Sequence, residues 1–264
     1  MVRGLYTAAA GAIVAQSNVD VIANNLANVN TSGFKRTLMQ IEAGPKTELF
    51  RDQIDPGKTG DNRTGGTAAH DSVGFLGFGS RIYDTPADFV QGAISQTGNP
   101  LDVALSGPGF LSVRDASGAV SYTRDGSFTQ NAQGNLVTAA GDQVLGANGR
   151  PIQIPPTANI QIDRLGNITA NGAAAGQLGV VEFADTSGVR PVGADKFSNA
   201  GAAPKAAAKT TVLQGAQEKS NADVVGSMVS LIANERWFDA NEKMIQTQDT
   251  EVGAAIATVG KSTP

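Results

Sequence analysis

Residues 23–36 read ANNLANVNTSGFKR, and this stretch decides how the fold of the chain is predicted. Half of its first eight residues are asparagine, a mediocre helix former because its side chain competes for nearby backbone groups. Leu26 and Val29 nevertheless continue an apolar rhythm that begins at Leu5. Helices commonly end with a glycine in the left-handed conformation, and Gly33 is placed to do this. The stretch therefore predicts the end of a long helix, with a stop at that glycine.

The apolar residues before this stop follow one another at steps of three and four. This spacing is the a/d pattern of a helix that packs lengthwise against another helix, and we call such a row a seam. The seam residues are Leu5, Ala8, Ala12, Ala15, Val19, Ile22, Leu26 and Val29. Most of them are small, so we expect the partner helix to come close.

The C-terminal segment carries a second seam, with apolar residues at a strict spacing of seven. These residues are Val224, Leu231, Phe238, Ile245, Val252 and Val259. A second position of the repeat lies four residues after each of the first five of these. It is apolar at the two ends of the segment, at Met228 and Ile256, and acidic in between, at Glu235, Glu242 and Asp249. The segment Ser220–Asp223 before the run resembles a capping box.

The two seams predict that the ends of the chain pack on each other as a coiled-coil-like pair of long helices. A helix from residue 221 to 259 outlasts its N-terminal partner, so surface remains for other chains. The simpler interpretation is that the two helices pack only within one chain. The extra length of the C-terminal helix favours additional self-association between chains.

The middle of the chain predicts a central antiparallel all-β domain, which makes the fold class α+β. Turn signals recur about every 8–12 residues, as in small barrels and sandwiches. The clearest hairpin signal is Asp125-Gly126, the residue pair of a type I′ turn, between Val120–Arg124 and Ser127–Thr129.

The predicted division of the chain has four parts. They are a helical assembly segment at 1–44, an irregular linker or extension at 45–80, the β domain at 81–210 and a second helical assembly segment at 211–264.

Composition excludes several classes of function. The net charge is −4 and no basic block occurs, so nucleic-acid binding has little support. The absence of cysteine excludes disulfides, thiolate zinc sites and a cysteine nucleophile. No run approaches the ~18 apolar residues of a membrane-spanning helix, so no membrane insertion is expected.

The sequence offers little catalytic chemistry. The single histidine, His70, lies in a Gly/Thr/Asp-rich loop, where a solvated side chain is the ordinary interpretation. Gly74–Gly79 does not fit a phosphate-binding loop, and Ser106-Gly107 lacks the flanks of a nucleophile elbow. We therefore expect no enzyme, cofactor or metal. Two alternatives stay open, a secreted β-rich binding module with helical oligomerisation ends and a hydrolase hidden in the β domain.

Several motifs together give the sequence a family resemblance. Asn24–Lys35 resembles the N-terminal signature of the bacterial flagellar rod and hook proteins. Ser220–Val225 followed by Met228–Ile232 is similar to the C-terminal motif of that family, and Leu101–Phe110 and Tyr122–Phe128 are similar to its central region. The rod proteins of the FlgF and FlgG type are the most similar members, and the segment 239–249 favours the proximal-rod FlgF type.

The resemblance implies a structural axial subunit of the flagellar basal-body rod. Such a subunit would leave the cell through the flagellar type III export apparatus without a cleaved signal peptide. It would polymerise with other rod and hook-basal-body proteins into a helical tube that crosses the periplasm and transmits torque. A distal-rod or hook-type subunit is the nearest alternative, and no cofactor is implied.

The residues predicted at subunit interfaces are the seams and the asparagines of the opening stretch. They are Leu5, Ala12, Val19, Ile22, Asn24, Asn25, Leu26, Asn28, Val29, Asn30, Val224, Met228, Leu231, Phe238, Ile245, Val252 and Val259. Amide side chains can hydrogen-bond between neighbouring helices and fix their register. The alternative for the asparagines is that they face water.

Overall fold

The computed structural model describes residues 2–44, 46–50, 72–77, 79–155, 159–193, 195–201 and 203–260. Two long helices lie at the ends of the chain, α1 (Val2–Ala27) and α2 (Val224–Gly260). The strands between them form antiparallel pairs. The predicted α+β class, with helical ends and a central antiparallel β region, is confirmed.

Twenty short strands lie between the helices in the described residues. They are β1 (Gln40–Ala43), β2 (Lys46–Phe50), β3 (Ser72–Gly77), β4 (Ser80–Asp84), β5 (Ile94–Gln96), β6 (Val103–Ser106), β7 (Phe110–Arg114), β8 (Val120–Thr123), β9 (Phe128–Gln130), β10 (Leu136–Thr138), β11 (Gln143–Val144), β12 (Ile160–Ile162), β13 (Asn167–Ala170), β14 (Ala173–Gln177), β15 (Val180–Glu182), β16 (Val189–Pro191), β17 (Lys196–Asn199), β18 (Lys205–Ala206), β19 (Thr211–Gln214) and β20 (Ala216–Glu218).

The chain divides into two compact units, each built from segments that are distant in sequence. The first comprises Met1–Asp20, Met39–Asp84 and Ser230–Pro264, and the second comprises Val21–Leu38 and Thr85–Val229. Each helix contributes to both units. The predicted division instead ran linearly along the chain.

The first unit combines helical segments with two antiparallel strand pairs, β1 with β4 and β2 with β3. Residues 46–50 and 72–77 are therefore strands, although they lie in the segment predicted as an irregular linker. Residues 51–71 of that segment, with His70, lie outside the described residues.

The second unit contains a large sheet with the strand order β16-β17-β8-β7-β11-β10-β9, and β15 joins β18 to β7. A three-stranded sheet, β12-β13-β14, and the pairs β19-β6 and β20-β5 complete it. Residues 211–218 thus continue the β structure, although the predicted C-terminal helical segment began at 211.

The second unit has an apolar core with two clusters. The larger cluster includes Val103, Leu105, Leu111, Val113, Phe128, Leu136, Val144 and Ile168. In the smaller cluster Phe89, Phe110 and Phe197 pack edge to face, with ring centroids 5.2 to 5.8 Å apart. These geometries are the ones that aromatic pairs prefer.

The hairpin predicted at Asp125-Gly126 is wrong. β8 ends at Thr123 and pairs with β7 and β17, whereas β9 begins at Phe128 and pairs with β10. The Gly126 carbonyl accepts a hydrogen bond from the Val103 N–H at 2.9 Å, and a Cβ on this glycine would collide with the Val103 carbonyl. The glycine therefore permits a close approach of two backbones and does not form a type I′ turn.

The left-handed conformation predicted for Gly33 is confirmed, but the helix does not extend as far as this glycine. Gly33 has a left-handed φ of 69°, as predicted for the stop after α1, although α1 itself ends at Ala27 and residues 28–30 form a turn. Gly166, with φ of 81°, lies in the turn between β12 and β13.

Candidate assembly site

The inward stripe of α1 differs from the predicted seam at one position in each heptad. Ala8, Ala15 and Ile22 are buried, and all three belong to the predicted seam. The second inward position carries glycine or asparagine, at Gly4, Gly11, Asn18 and Asn25. The prediction had placed their apolar neighbours there, at Leu5, Ala12, Val19 and Leu26. Leu5 is in fact exposed and the other three are partly buried.

The same difference occurs on α2. One seam position is partly buried as predicted, at Leu231, Phe238, Ile245 and Val252. The second partly buried position carries amides, at Asn234, Asn241 and Gln248. Met228, Glu235, Glu242, Asp249 and Ile256, which the prediction had placed there, are exposed. Val224 is exposed, and the side chain of Val259 lies outside the described residues.

Three contacts, which we call rungs, join α1 to α2 within the first unit. The rungs are Asn18–Asn234, Gly11–Asn241 and Gly4–Gln248. Asn18 Nδ2 donates to Asn234 Oδ1 at 2.7 Å. Successive rungs are seven residues apart on each helix. Residue numbers fall along α1 as they rise along α2, so the two helices are antiparallel.

The helix pair leaves apolar side chains exposed on its other faces. Tyr6 and Ile13 of α1 are 63% and 65% exposed and lie seven residues apart. On α2, Val225, Met228 and Val229 are 70%, 53% and 63% exposed. Their i, i+3, i+4 spacing puts these three on one face of the helix. The surface that the monomer leaves uncovered is therefore apolar in places where a solvated helix would be polar.

The asparagines of the opening stretch have different environments. Asn25 is buried. Its Nδ2 donates a hydrogen bond to the Thr37 carbonyl, and its Oδ1 accepts one from the Thr37 N–H, both at 2.8 Å. Asn28 Nδ2 donates to the Asn24 carbonyl at 2.9 Å. Asn24 and Asn30 have exposed side chains. The predicted inter-subunit role of Asn25 is thus corrected, because this amide tethers the end of α1 to its own chain.

A cluster of buried charges, which we call the junction, joins three parts of the chain that are distant in sequence. Lys35 Nζ lies 2.5 Å from Glu218 Oε1, and Arg124 Nη1 lies 3.4 Å from Glu218 Oε2. All three side chains are almost fully buried. Backbone groups complete the cluster, because Gly92 N–H donates to Glu218 Oε1 and Lys35 Nζ donates to the Val90 carbonyl, both at 2.8 Å.

The electrostatics of the junction are set by burial. Burial lowers the pKa of the Lys35 ammonium from its usual value, and the attraction of Glu218 opposes this shift. Burial also lowers the pKa of the Arg124 guanidinium, which stacks 4.8 Å from the centre of the Phe110 ring. The Glu218 carboxylate is therefore the counter-ion of both buried cations, Lys35 and Arg124.

The start of α2 is fixed beside the junction. Asn221 Oδ1 accepts the Arg36 N–H at 2.8 Å, and Asn221 Nδ2 donates to the Asp88 and Val90 carbonyls. Asp223 is the N-cap of α2, since its carboxylate accepts the N–H groups of residues 225 and 226. The cap is thus Asp223 itself, and the predicted capping box beginning at Ser220 is not formed.

Sequence reasoning missed Glu218 and Arg124. Arg124 directly follows β8 and Glu218 is the last residue of β20. Charged side chains are ordinarily solvent-exposed, so their types alone gave no reason to place them in a core. The available signal was the position of Arg124 inside the motif Tyr122–Phe128.

The described surface offers little for catalysis. A recess of about 480 Å³ on the β structure is lined by residues such as Asn148, Arg150 and Gln177 and contains no carboxylate. Among the described residues, no group of three or more histidine, aspartate or glutamate side chains is placed to hold a metal ion. No described helix is both long and apolar enough to cross a bilayer.

Three family models match separate parts of the chain. A model described as flagella basal body rod protein matches residues 5–35, the FlgE/F/G D1 domain of flagellar hook proteins matches 104–170, and the C-terminal region of flagellar basal body rod FlgEFG proteins matches 213–257.

Full-length relatives have related descriptions. The flagellar basal-body rod protein FlgG of Agrobacterium fabrum is 35% identical, with 94% of this chain and 95% of the relative aligned. FlgG of Bacillus subtilis is 31% identical over 94% and 96% of the two chains. The basal-body rod protein FlgF of Caulobacter vibrioides is 31% identical over 99% of each.

Proposed function

Because this chain belongs to the family of flagellar basal-body rod proteins, we propose that it polymerises with other rod proteins into a helical tube through the outward faces of α1 and α2. It is a structural subunit of the basal-body rod. The work of such a subunit is to transmit torque, and we assign it no catalytic activity.

The observation that carries the proposal is the uncovered apolar face at the start of α2. Val225, Met228 and Val229 are more than half exposed, on a helix whose inward stripe is already used by α1. Contiguous apolar surface of this kind marks sites of protein association. Tyr6 and Ile13 provide a comparable surface on α1. Contacts that repeat from subunit to subunit without closing a ring generate a helical filament.

The proposed subunit contacts differ in part from those predicted from sequence: Met228, Asn24 and Asn30 are kept, whereas Val225 and Val229 are new. Leu231, Phe238, Ile245 and Val252 are partly buried within the subunit. In the proposal the more exposed Val225, Met228 and Val229 meet neighbouring subunits. Asn24 and Asn30 can add hydrogen bonds to such contacts because their side chains are exposed.

Three finer features belong to the same proposal. The chain is exported by the flagellar type III apparatus without a cleaved signal peptide, it crosses the periplasm as part of the rod, and it occupies a proximal, FlgF-type position. The distal FlgG type is the alternative, and relatives of both types are similar to the chain at 31% to 35% identity.

The test is a charge on the uncovered face. Met228→Asp should block swimming and leave incomplete basal bodies, because a carboxylate cannot enter an apolar contact without a large desolvation cost. Unfolding of the purified subunit should be unchanged, since Met228 is exposed. Normal swimming of cells with this variant would contradict the proposal.

A further inference from the structure

The contact between α1 and α2 is unusual in that its rungs are polar. Along α2, the apolar positions Leu231, Phe238 and Ile245 alternate with amides at Asn234 and Asn241, and Gln248 continues the series. A helix that only needed stability would carry leucine at these amide positions, because each buried amide requires partners.

The glycines of α1 provide the space for the amides. A Cβ on Gly11 would stand 2.7 Å from Asn241 Oδ1, and a Cβ on Gly4 would stand 2.9 Å from Gln248 Cδ. Real Cβ atoms do not come this close, so these two positions accept glycine alone while the amides stay in place. Glycine weakens a helix, so its presence at these positions is explained by the room that it gives.

The hydrogen bonds of one of the three amides are incomplete. Asn234 Nδ2 donates to the Ser230 carbonyl at 2.8 Å, and Asn241 Nδ2 donates to the Trp237 carbonyl at 2.9 Å. Gln248 Oε1 is buried without a hydrogen-bond partner among the described residues. The unpaired Gln248 oxygen therefore lowers the stability of the helix pair relative to an apolar contact, which points to a role in choosing the partner.

The alternative partner for α2 is a second copy of α2. In an antiparallel pair of two α2 helices, each apolar seam residue would face an amide. In a parallel pair, amides would face amides with no glycine beside them to make room. Either arrangement leaves amides crowded or unpaired, whereas α1 offers two glycines and Asn18.

We propose that the amide rungs select α1 of the same chain as the partner of α2 and prevent the seam of α2 from pairing with a second subunit. Residues Asn234, Asn241 and Gln248 are thus specificity determinants of the intramolecular helix pair. Association between subunits is left to the outward faces, and the proposal holds whatever filament the chain enters.

The experiment compares two triple variants of the full chain by sedimentation equilibrium. In N234L/N241L/Q248L the seam of α2 becomes continuously apolar, and the dissociation constant of the dimer should fall at least about tenfold relative to wild type. The matched control A233L/A240L/T247L adds the same three leucines at the same spacing on exposed positions and should stay close to wild type. An unchanged constant in the first variant, or an equal fall in both, would overturn the proposal.

A second design controls the seam by a disulfide, which is possible because the chain has no cysteine. The substitutions Gly11→Cys and Asn241→Cys place two thiols at the middle rung, in a chain that also carries Asn234→Leu and Gln248→Leu. The oxidised protein, with α1 locked on α2, should stay monomeric, and reduction should strengthen dimerisation at least about tenfold. Equal dimerisation before and after reduction would show that the inner face of α2 is not involved and would refute the proposal. Circular dichroism of both forms verifies that the β structure is folded.

Discussion

At the scale of single residues, the junction has the largest energetic consequence. Glu218 is fully buried and is the only carboxylate in contact with both Lys35 and Arg124 among the described residues. Its contacts connect a residue that follows α1, a residue that follows β8 and the last residue of β20. Three parts of the chain that are distant in sequence therefore depend on one side chain.

Glu218→Gln should destabilise the second unit strongly. The amide has the shape of the carboxylate but leaves two buried cations without a counter-ion, and breaking a buried pair in this way costs about 3–5 kcal/mol. Urea unfolding of the purified chain measures the loss. Arg36→Gln, which removes the partly exposed pair with Asp88, should cost less than about 1 kcal/mol. Equal losses for the two variants would contradict the role of the junction.

Asn25→Leu should also destabilise the isolated subunit. Leucine improves helix propensity by a few tenths of a kcal/mol. It also leaves the Thr37 N–H and carbonyl without the hydrogen bonds of 2.8 Å that Asn25 provides, at about 1–3 kcal/mol. Asn24→Leu, at an exposed position, should be neutral or slightly stabilising. A melting temperature of Asn25→Leu equal to wild type would refute this intramolecular role.

At the scale of elements, the helices show which features apolar periodicity in the sequence can predict. The seven-residue period, the presence of both helices and one of the two seam positions were predicted from sequence. The other position was missed on both helices. On α1 the apolar neighbours such as Leu5 and Val19 were assigned to it instead of glycine and asparagine, and on α2 the row of Met228 and Glu235 was assigned to it instead of the amides. Which neighbour turns inward depends on the partner helix, and periodicity in one helix carries no information about it.

Leu231→Pro should disrupt the assembly element and leave the β structure folded. Proline inside a helix removes a hydrogen bond and clashes with the preceding turn, at about 3 kcal/mol or more. Cells with this variant should not swim. Val224→Pro is the matched control, because the first helical position tolerates proline. Swimming with Leu231→Pro would exclude α2 as an assembly element.

The turn between β12 and β13 should be sensitive to acid. Hydrogen bonds to the Asp163 carboxylate, first from the Asn167 side chain and then from backbone N–H groups, lower its pKa below the usual 3.8. A carboxylate with a lowered pKa stabilises the fold at pH values above the unfolded-state pKa, and this contribution is lost as the pH falls through the folded-state pKa. Asp163→Asn should therefore melt below wild type at neutral pH, and the gap should narrow under pH ~4. A gap that stays constant into acid would contradict this.

At the scale of the whole molecule, the chain keeps its two ends together and its middle in β structure. Apolar periodicity and turn signals were sufficient to predict the class and the helical ends, and the resemblance was sufficient to predict the family. The strand partners were not, because pairings such as β20 with β5 join residues more than a hundred positions apart and have no local signal. The failed hairpin at Asp125-Gly126 has the same cause, since its glycine serves a contact with distant Val103.

The most direct test of the central claim is an image of isolated basal bodies from cells whose own copy of the chain carries a small tag at the exposed Asn171-Gly172 turn. A labelled probe for the tag should decorate the rod, along a defined part of its length, in particles from swimming cells. Complete rods without label, from swimming cells in which the tagged chain is intact and expressed, would contradict its identification as a rod subunit.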